Sequence, residues 1–303
     1  MIIFSDLHAH TFKEFCDNRL ELIKETLESI LSYAQQTNQT VLFCGDLIHK
    51  HGYVPSEVLY MLLETFKKYS DVPIKAISGN HDVTTVNYIQ TPAHSILKSF
   101  DFILPNFELI DYAYTEVEGY MVWGIPYMSS PSEFYHILKI FSEKTSGADI
   151  LLMHQTPSKL MNEFIPVQVD IEDIHFDMFN YVFSGHIHRY QELVPNRYMV
   201  GNPLPQDRSD IGNEKGFLEL LNGKVTRHTL KSPLDSLILN DASENIKKTE
   251  TFKQEKVEQT NEKFFSNDIV DQMDAFADAV ALDFETLKVG KILISHEYTN
   301  SLK

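Results

Sequence analysis

Five apolar runs in this chain of 303 residues each end in side chains that commonly bind metal ions. The carboxyl ends of strands in an open α/β sheet converge on one crevice, so we expect these side chains to lie together. Carboxylate, amide and imidazole groups in one site suit Mn²⁺, Fe²⁺ or Zn²⁺ better than Ca²⁺ or Mg²⁺ alone. One histidine after a strand is by itself more often a solvated residue, so the inference depends on the whole series. The series is Asp6, His8, Asp46, Asn80, His154, His186 and His188.

Local spacing favours a compact site at these strand ends. The pairs Asp6-x-His8 and His186-x-His188 each place two side chains on the same side of an extended segment, because a strand has a period of two. Two ions held about 3.5–4 Å apart would clamp the attacking and leaving oxygens of a phosphoryl transfer. The glycines that would allow sharp turns beside the ligands are Gly45, Gly79 and Gly185.

The segments that must position these residues alternate between apolar runs and helical repeats, as in a layered α/β domain. Apolar residues at Leu20, Ile23, Leu27 and Ile30 have helical spacing and predict an amphipathic helix. We predict strands at 1–4, 40–44, 74–78, 149–153 and 181–183, helices at 19–33, 54–69, 91–100 and 131–144, and hairpins at 112–127 and 217–230. Together these elements predict two packed sheets flanked by helices.

Composition limits the class of protein. Hydrophobic residues make up 43% of the chain and charged residues 23%, as in ordinary soluble domains. No run of 18 apolar residues occurs, so we predict no membrane-spanning helix and no membrane partner. Cys16 and Cys44 are too few for a disulfide framework or a thiolate zinc site. With no signal-peptide pattern at the amino terminus, we expect a cytoplasmic location.

The composition changes near residue 240, where we predict a domain boundary. Residues 241–263 are polar, charged and nearly free of aliphatic side chains, which is typical of a linker. Helical spacing of apolar residues returns between Ile269 and Val280. We therefore predict a main domain at 1–240 and an acidic linker with a helical tail at 241–303. The apolar stripe of that tail would suit docking onto a partner or packing on the chain's own core.

The complete series of motifs resembles the calcineurin-like metallophosphoesterase superfamily over roughly residues 1–230. The resembling segments are Asp6-x-His8, Gly45-Asp46, Gly79-Asn80-His81-Asp82, His154 and Gly185-His186-Ile187-His188. The resemblance implies a four-layer αββα sandwich and two divalent metal ions, with Mn²⁺ first and Fe²⁺, Zn²⁺ or Mg²⁺ as the other candidates. It also implies that Asp6, His8 and His188 hold one ion, that Asn80, His154 and His186 hold the other, and that Asp46 bridges them.

The same resemblance implies roles for two residues that do not bind metal. His81 is expected to stabilise the transferring phosphate and to protonate the leaving oxygen. An acid is needed there because the leaving alkoxide of a sugar is a strong base. Asp82 is expected to hold the His81 ring in the right tautomer.

His49 narrows the resemblance further, because it lies three residues after Asp46. This arrangement is similar to the SbcD and meiotic-recombination-eleven nucleases, including their phage versions. In that group the matching histidine lies at the active site and supports exonuclease activity. The alternative is that His49 is a solvated loop residue. The resemblance implies a DNA exonuclease or endonuclease in DNA repair, recombination or replication. It also implies an SbcC-type ATPase partner and, by analogy, a homodimer. If the protein comes from a phage, it is expected to act in the host cytoplasm.

The net charge of −17 argues against unassisted DNA binding, because phosphate neutralisation by Lys and Arg supplies most non-specific affinity. An ATPase partner that supplies DNA affinity would resolve this conflict. The main alternative is a phosphodiesterase or phosphatase of the same superfamily acting on small molecules or nucleotides. A scaffold that has lost its metals is disfavoured, because no ligand of the series is missing. The start of the chain, Asp6-Leu7-His8-Ala9-His10, also resembles the polymerase-and-histidinol-phosphatase family, which would not produce the later motifs.

Overall fold

The computed structural model describes residues 1–12, 18–51, 53–84, 94–145, 149–160, 166–206, 210 and 213–230. All of these residues lie in the first of the two units into which the chain divides, Met1–Leu239. The boundary near residue 240 and the linker and helix at 241–303 lie outside the described residues and stay predictions. Within the described ranges, no helix is both long and apolar enough to cross a membrane.

Four α-helices occur in the described residues, and each buries one apolar face. They are α1 (Arg19–Thr37), α2 (Ser56–Lys68), α3 (Leu97–Ile103) and α4 (Pro131–Ser142). Helix α1 ends at Asn38, whose left-handed backbone (φ 51°) lets its N–H reach the carbonyl of Ala34. Helix α4 begins after Ser130, whose hydroxyl accepts a hydrogen bond from the backbone N–H of Glu133. These end groups explain why both helices stop or start where they do.

Twelve strands occur in the described residues, and they form two six-stranded sheets. They are β1 (Ile2–Phe4), β2 (Val41–Phe43), β3 (Ile74–Ala76), β4 (Phe107–Leu109), β5 (Tyr114–Val117), β6 (Tyr120–Ile125), β7 (Asp149–His154), β8 (Tyr181–Gly185), β9 (Gln191–Val194), β10 (Arg197–Met199), β11 (Gly216–Leu221) and β12 (Lys224–Thr229). The first sheet has the order β12-β11-β1-β2-β3-β4, and the second has the order β5-β6-β7-β8-β10-β9.

Parallel pairing brings the carboxyl ends of the central strands to one edge of each sheet. In the first sheet β1, β2, β3 and β4 are parallel neighbours, and in the second sheet β6, β7, β8 and β10 are parallel neighbours. The polar segments that follow β1, β2 and β3 therefore emerge side by side. The same holds for the segments that follow β7 and β8. These are the segments that carry the predicted metal ligands.

Adjacent residues of the central strands face different cores, because side chains alternate along a strand. Ile2 and Phe4 pack with α1, α2 and α3 on the outer face of the first sheet, whereas Ile3 lies in the core between the two sheets. Leu152 also lies in that middle core, and Leu151 packs with α4 on the outer face of the second sheet. Burial on both faces explains the continuous apolar runs of these strands. The order of layers is helices, sheet, sheet, helix, which confirms the predicted αββα sandwich.

The structure confirms most predicted elements and adds three that the sequence analysis lacks. Both predicted hairpins are present, and the turn residues Asn222 and Gly223 have positive φ angles of 50° and 75°, as a type I′ turn requires. The predicted helix at 91–100 is shifted, because α3 begins at Leu97 and residues 91–93 lie outside the described residues. Strands β4, β9 and β10 were not predicted. They are short and contain charged residues, so no alternating pattern identifies them.

Candidate metal centre

The segments after the central strands have an unusual backbone conformation. Asp6, His8, Asp46 and His186 have positive φ angles of 55°, 47°, 61° and 86°. A residue with a Cβ atom adopts this region at a cost of about 1–3 kcal/mol, and such residues cluster at functional sites. Four of the seven predicted ligands therefore share a strained backbone conformation. These left-handed angles also correct the prediction that Asp6-x-His8 and His186-x-His188 are extended, because both pairs lie in irregular segments that follow β1 and β8.

Asp6, His8 and His188 form one group of possible metal ligands. The Nε2 atom of His8 lies 3.1 Å from Nε2 of His188 and 3.8 Å from Oδ1 of Asp6. Asp6 and His8 follow β1 of the first sheet, and both are buried. His188 follows β8 of the second sheet. The two sheets thus contribute jointly to this group.

A second group of possible ligands contains Asp46, His154 and His186. Nε2 of His154 lies 3.2 Å from Oδ2 of Asp46 and 3.2 Å from Oδ1 of Asn80. The same Asn80 oxygen lies 3.0 Å from Nδ1 of His186. Oδ2 of Asp46 also lies 3.6 Å from Nε2 of His8, so this carboxylate faces both groups. All seven predicted ligands lie in the two groups or contact them directly.

The chemistry of these donor atoms fits two divalent cations. Within each group the nitrogen and carboxylate oxygen atoms lie within 4.8 Å of one another. Nε2 of His8 and Nε2 of His188 face each other at 3.1 Å, and two nitrogen lone pairs approach this closely only when a proton or a cation lies between them. A mixed set of imidazole, carboxylate and amide donors also suits Mn²⁺, Fe²⁺ or Zn²⁺. The residues present are therefore able to hold the two ions that the sequence predicts.

The protonation of the site follows from burial and from the buried carboxylates. Burial lowers the pKa of His186 to about 3, and the neighbouring His154 adds to this effect. Burial also opposes protonation of His154, but the carboxylates of Asp46 and Asp6 raise its pKa to about 9. His154 in turn lowers the pKa of Asp46, against the effect of burial. The site therefore holds a buried anion, which requires a positive partner such as His154 or a bound cation.

Three glycines allow the strand ends to approach one another. A Cβ atom on Gly79 would lie 2.2 Å from Oδ1 of Asp46, and one on Gly185 would lie 2.1 Å from Oγ of Ser5. A Cβ atom on Gly45 would lie 2.6 Å from Nδ1 of His154. These distances are shorter than any van der Waals contact. The glycines that the sequence analysis singled out are thus required by close packing around the candidate ligands.

The structure corrects the predicted partner of Asp82. Its buried carboxylate accepts hydrogen bonds from the backbone N–H groups of Gly79 and of residues 46–48, at 2.7–3.2 Å. The ring of His81 instead hydrogen-bonds through Nδ1 to the backbone carbonyl of His49. A carbonyl oxygen only accepts, so Nδ1 of His81 is the donor and Nε2 is the atom available for proton transfer. Asp82 therefore holds two loops of the site together, and a carbonyl orients His81.

His49 lies against the first group of ligands. Its ring centroid lies 5.4 Å from that of His8 and 5.5 Å from that of His81. One ligand atom from each of these three histidines falls within 4.8 Å of the others. Burial lowers the pKa of His49 to about 4, so the ring is neutral near pH 7. This position does not fit the alternative of a fully solvated loop histidine, whereas its catalytic role stays a prediction.

Asp210 contacts the site although the sequence analysis did not identify it. Its Oδ2 atom lies 3.4 Å from Nδ1 of His188 and accepts hydrogen bonds from the backbone N–H of Gln206 and from Nδ2 of Asn202. The buried Lys215 ammonium donates to Oδ1 at 2.8 Å. A carboxylate on the second nitrogen of a metal-binding histidine fixes the ring and raises its basicity. A lone Asp in a polar segment has no pattern that would reveal this contact.

Asp210→Asn is expected to lower the affinity for Mn²⁺ about 10- to 100-fold, because loss of the carboxylate charge weakens the orientation and basicity of His188. Titration calorimetry of the metal-free protein with MnCl₂ would measure the change. Asp173→Asn is the matched control. Asp173 also pairs with a histidine, since its Oδ1 atom lies 2.6 Å from Nδ1 of His175, but neither residue belongs to the ligand groups. Equal Mn²⁺ affinities for wild type and Asp210→Asn would contradict the proposed contact.

Two kinds of relative are similar to this chain. The DNA double-strand break repair protein Mre11 of Methanocaldococcus jannaschii is 29% identical over an alignment of 157 residues that covers 49% of this chain and 40% of that protein. The protein of the same name from Methanococcus maripaludis is 28% identical over 180 residues, 56% of this chain and 46% of that protein. The crystal structure of TT1561 from Thermus thermophilus has a TM-score of 0.49 and 16% identity, over 76% of this chain and 98% of that chain.

The family model covers more of this chain than the alignments with the two Mre11 proteins do. The chain spans less than half the length of the two curated relatives. The family model of the calcineurin-like phosphoesterases matches residues 1–190, which include β1 to β8 and every predicted ligand. This match confirms the resemblance inferred from the motifs. Because the matched region is more than half of the chain, this protein belongs to the calcineurin-like phosphoesterase family.

Proposed function

We propose that this chain is a two-metal phosphodiesterase that cuts DNA, as an exonuclease or endonuclease in repair, recombination or replication. Family membership makes it a metal-dependent phosphoesterase. The observation that carries the proposal is the convergence of seven candidate ligands with Asp46 facing both groups. Oδ2 of Asp46 lies 3.2 Å from His154 and 3.6 Å from His8. The preference for DNA is supported by the position of His49 and by the similarity to two proteins named for DNA double-strand break repair.

The candidate residues divide into two sets that would hold two cations. Asp6, His8 and His188 would hold one cation, and Asn80, His154 and His186 the other, with Asp46 shared between them. When bound, the cations would lower the pKa of water and balance negative charge on the phosphate. The choice of Mn²⁺ is part of the proposal, because the donor set also admits Fe²⁺, Zn²⁺ and Mg²⁺.

His81 would act on the leaving oxygen. The backbone N–H of His81 donates to Oδ1 of Asp46 at 2.8 Å, which holds the residue beside the ligands. Its ring donates through Nδ1 to the His49 carbonyl, so a proton on Nε2 could be transferred to the departing alkoxide. His49 would orient the end of the DNA strand that is cut, because its ring lies beside the first ligand group, with its centroid 5.4 Å from that of His8.

Digestion of end-labelled linear duplex and single-stranded DNA with MnCl₂, beside bis-p-nitrophenyl phosphate, tests this proposal. We expect all three substrates to be cut, with no cutting in EDTA, and the labelled products give the polarity of digestion. Cutting of the small diester without cutting of DNA would call for the same assay with an SbcC-type ATPase present. Continued failure on DNA would reject the nuclease and leave a small-molecule phosphodiesterase.

His49→Ser is expected to reduce exonuclease activity on linear duplex at least tenfold while the Mn²⁺ content stays at the wild-type value. The physical reason is that His49 contacts the rings of the ligand groups without being needed to complete either predicted ligand set. Nucleotide release from end-labelled duplex measures activity, and elemental analysis measures metal. The half-buried His175, which pairs with Asp173, offers His175→Ser as a control of the same type. A parallel loss of metal from His49→Ser would assign this residue to metal binding instead.

A second candidate function is hydrolysis of small phosphodiesters or nucleotides, and the charge of the chain favours it. At a net charge of −17 the chain repels polyanions, whereas a small phosphodiester presents one negative charge. The two candidates differ in salt dependence. DNA cutting should weaken steeply between about 50 and 200 mM salt, and hydrolysis of a small diester should change little.

We also propose an ATPase partner of the SbcC type, which would supply the DNA affinity that this acidic chain lacks. The predicted docking segment lies within 241–303, outside the described residues. Binding of the partner to the full chain and to a chain that ends at residue 240 would test its role. Unchanged affinity of the shortened chain would reject the docking segment. The proposed homodimer would be tested by the mass of the full chain in solution.

A further inference from the structure

A pocket with a volume of about 260 Å³ opens beside the candidate metal centre. It lies between the segment that follows β1 and the segment that follows β2. Its size is slightly below the roughly 300–1,000 Å³ range of drug-sized ligand sites, and it suits one planar ring. The lining residues are Ala9, His10, Thr11, Phe12, His49, Lys50, Tyr53 and Pro55. The pocket therefore shares His49 with the site and is otherwise separate from the predicted ligands.

Two aromatic side chains at this pocket are exposed and lie close to one cationic side chain. Phe12 is 41% exposed and Tyr53 is 60% exposed. The ammonium group of Lys50 lies 5.7 Å from the Phe12 ring centroid and 5.9 Å from the Tyr53 ring centroid. These distances are those of cation–π contacts. The pocket thus combines two partly exposed aromatic rings with positive charge on an otherwise acidic chain.

Phe12 is held in this exposed position by its neighbours. Its backbone N–H donates to Nδ1 of His10 at 3.0 Å. Its ring lies 4.8 Å from the His10 ring and 5.2 Å from the His49 ring, the latter at an interplanar angle of 88°. The His49 contact is edge-on, the His10 ring lies at 33° to the Phe12 ring, and Phe12 keeps 41% of its surface exposed. Phe12 is therefore preorganised as a stacking surface next to His49.

We propose that this pocket binds the nucleobase of a nucleotide whose phosphate lies at the metal centre. This proposal rests on the proposed function and adds a base-binding subsite to it. Nucleobases stack on aromatic side chains, and the gain hardly depends on sequence because every base has a π-face. The ammonium of Lys50 brings positive charge to the pocket, which favours a ligand that carries a phosphate. The Lys50 charge and the aromatic rings together favour an anionic ligand with a planar ring, such as a nucleotide, over a cationic or purely aliphatic ligand.

Two esters with the same leaving group test this proposal. They are the p-nitrophenyl ester of thymidine 5′-monophosphate and methyl p-nitrophenyl phosphate, which has no base. We expect wild type to prefer the nucleotide ester, and Phe12→Ala or Tyr53→Ala to reduce that preference in kcat/KM about tenfold, mainly through KM. Phe12→Tyr should keep it, because the ring face remains. Phe102→Ala, at a 90% exposed Phe on α3, is the matched control and should change neither value.

The outcomes separate this inference from the proposed function. If both esters are cut and Phe12→Ala slows them equally, the phosphodiesterase stands and the base pocket is overturned. If neither ester is cut, the proposed function fails, and calorimetry with thymidine 5′-monophosphate and deoxyribose 5-phosphate decides on the pocket. Tighter binding of the nucleotide that Phe12→Ala abolishes would support the pocket. Equal binding of the two phosphates would overturn it.

Discussion

Asp46→Ala is expected to abolish phosphodiester hydrolysis, with kcat/KM falling about 10³-fold or more. One carboxylate faces both ligand groups, because its Oδ2 atom lies 3.2 Å from Nε2 of His154 and 3.6 Å from Nε2 of His8. Its loss would remove the shared negative charge, and the stabilisation that two cations give to a phosphoryl transfer amounts to several kcal/mol. The metal content should fall below two ions per chain. Hydrolysis of bis-p-nitrophenyl phosphate and elemental analysis measure the two effects.

The Asp46 variant also needs a test of folding, because its other oxygen accepts the backbone N–H of His81 at 2.8 Å. Asp46→Asn retains this acceptor and removes only the charge, so it should lose activity with a smaller change in melting temperature. Asp71→Ala removes a carboxylate that pairs with Gln35 on the surface, and it should leave activity unchanged. Full activity of Asp46→Ala at wild-type metal content would refute the site assignment.

His81→Asn is expected to lower kcat about 10²- to 10⁴-fold for substrates with alkoxide leaving groups, as removal of a general acid does. A nitrophenolate ion leaves without protonation, so hydrolysis of bis-p-nitrophenyl phosphate should fall much less than cutting of DNA or of an alkyl diester. The metal content should stay at the wild-type value, because the predicted ligand atoms are untouched. Kinetics with a series of leaving groups of rising pKa measures this difference.

The dependence on the leaving group distinguishes an acid from a structural residue. If His81 merely stabilised the loop after β3, His81→Asn would slow every substrate by a similar factor. An equal loss for nitrophenyl and alkyl esters would therefore contradict proton transfer by Nε2. His175→Asn removes an imidazole outside the ligand groups, and it is expected to leave the slope of rate against leaving-group pKa unchanged.

Local patterns in the sequence were sufficient to predict the main elements of the fold. The helical spacing of apolar residues predicts α1, because a helix with one buried face needs little information beyond its own residues. The two hairpins were predicted for a similar reason. Their turns, Glu118-Gly119 and Asn222-Gly223, adopt the positive φ angles of tight hairpins. The short strands β9 and β10 lack such a pattern. They form because β10 pairs with β8, which is a contact between separate parts of the chain.

The candidate ligands were also predictable, because each follows an apolar strand and parallel strands bring their carboxyl ends together. Sequence neighbours were a poorer guide to the contacts behind the ligands. Asp82 is adjacent to His81 in the sequence, but four backbone N–H groups from two loops surround its carboxylate. Asp210 contacts His188 from a segment that no motif marks. Both contacts arise where distant segments meet.

The sequence by itself therefore determined the layered α/β class, the identities of the candidate ligands and the family to which the chain belongs. Those features depend on local periodicity and on residue types at strand ends, which a linear sequence contains. Only the tertiary structure decided that a carbonyl orients His81, that Asp210 supports His188, and that Phe12 and Tyr53 face one pocket with Lys50. The physical reason is that hydrogen bonds and ring contacts depend on the distances between segments in the folded chain. The spacing of residues along the sequence does not specify those distances.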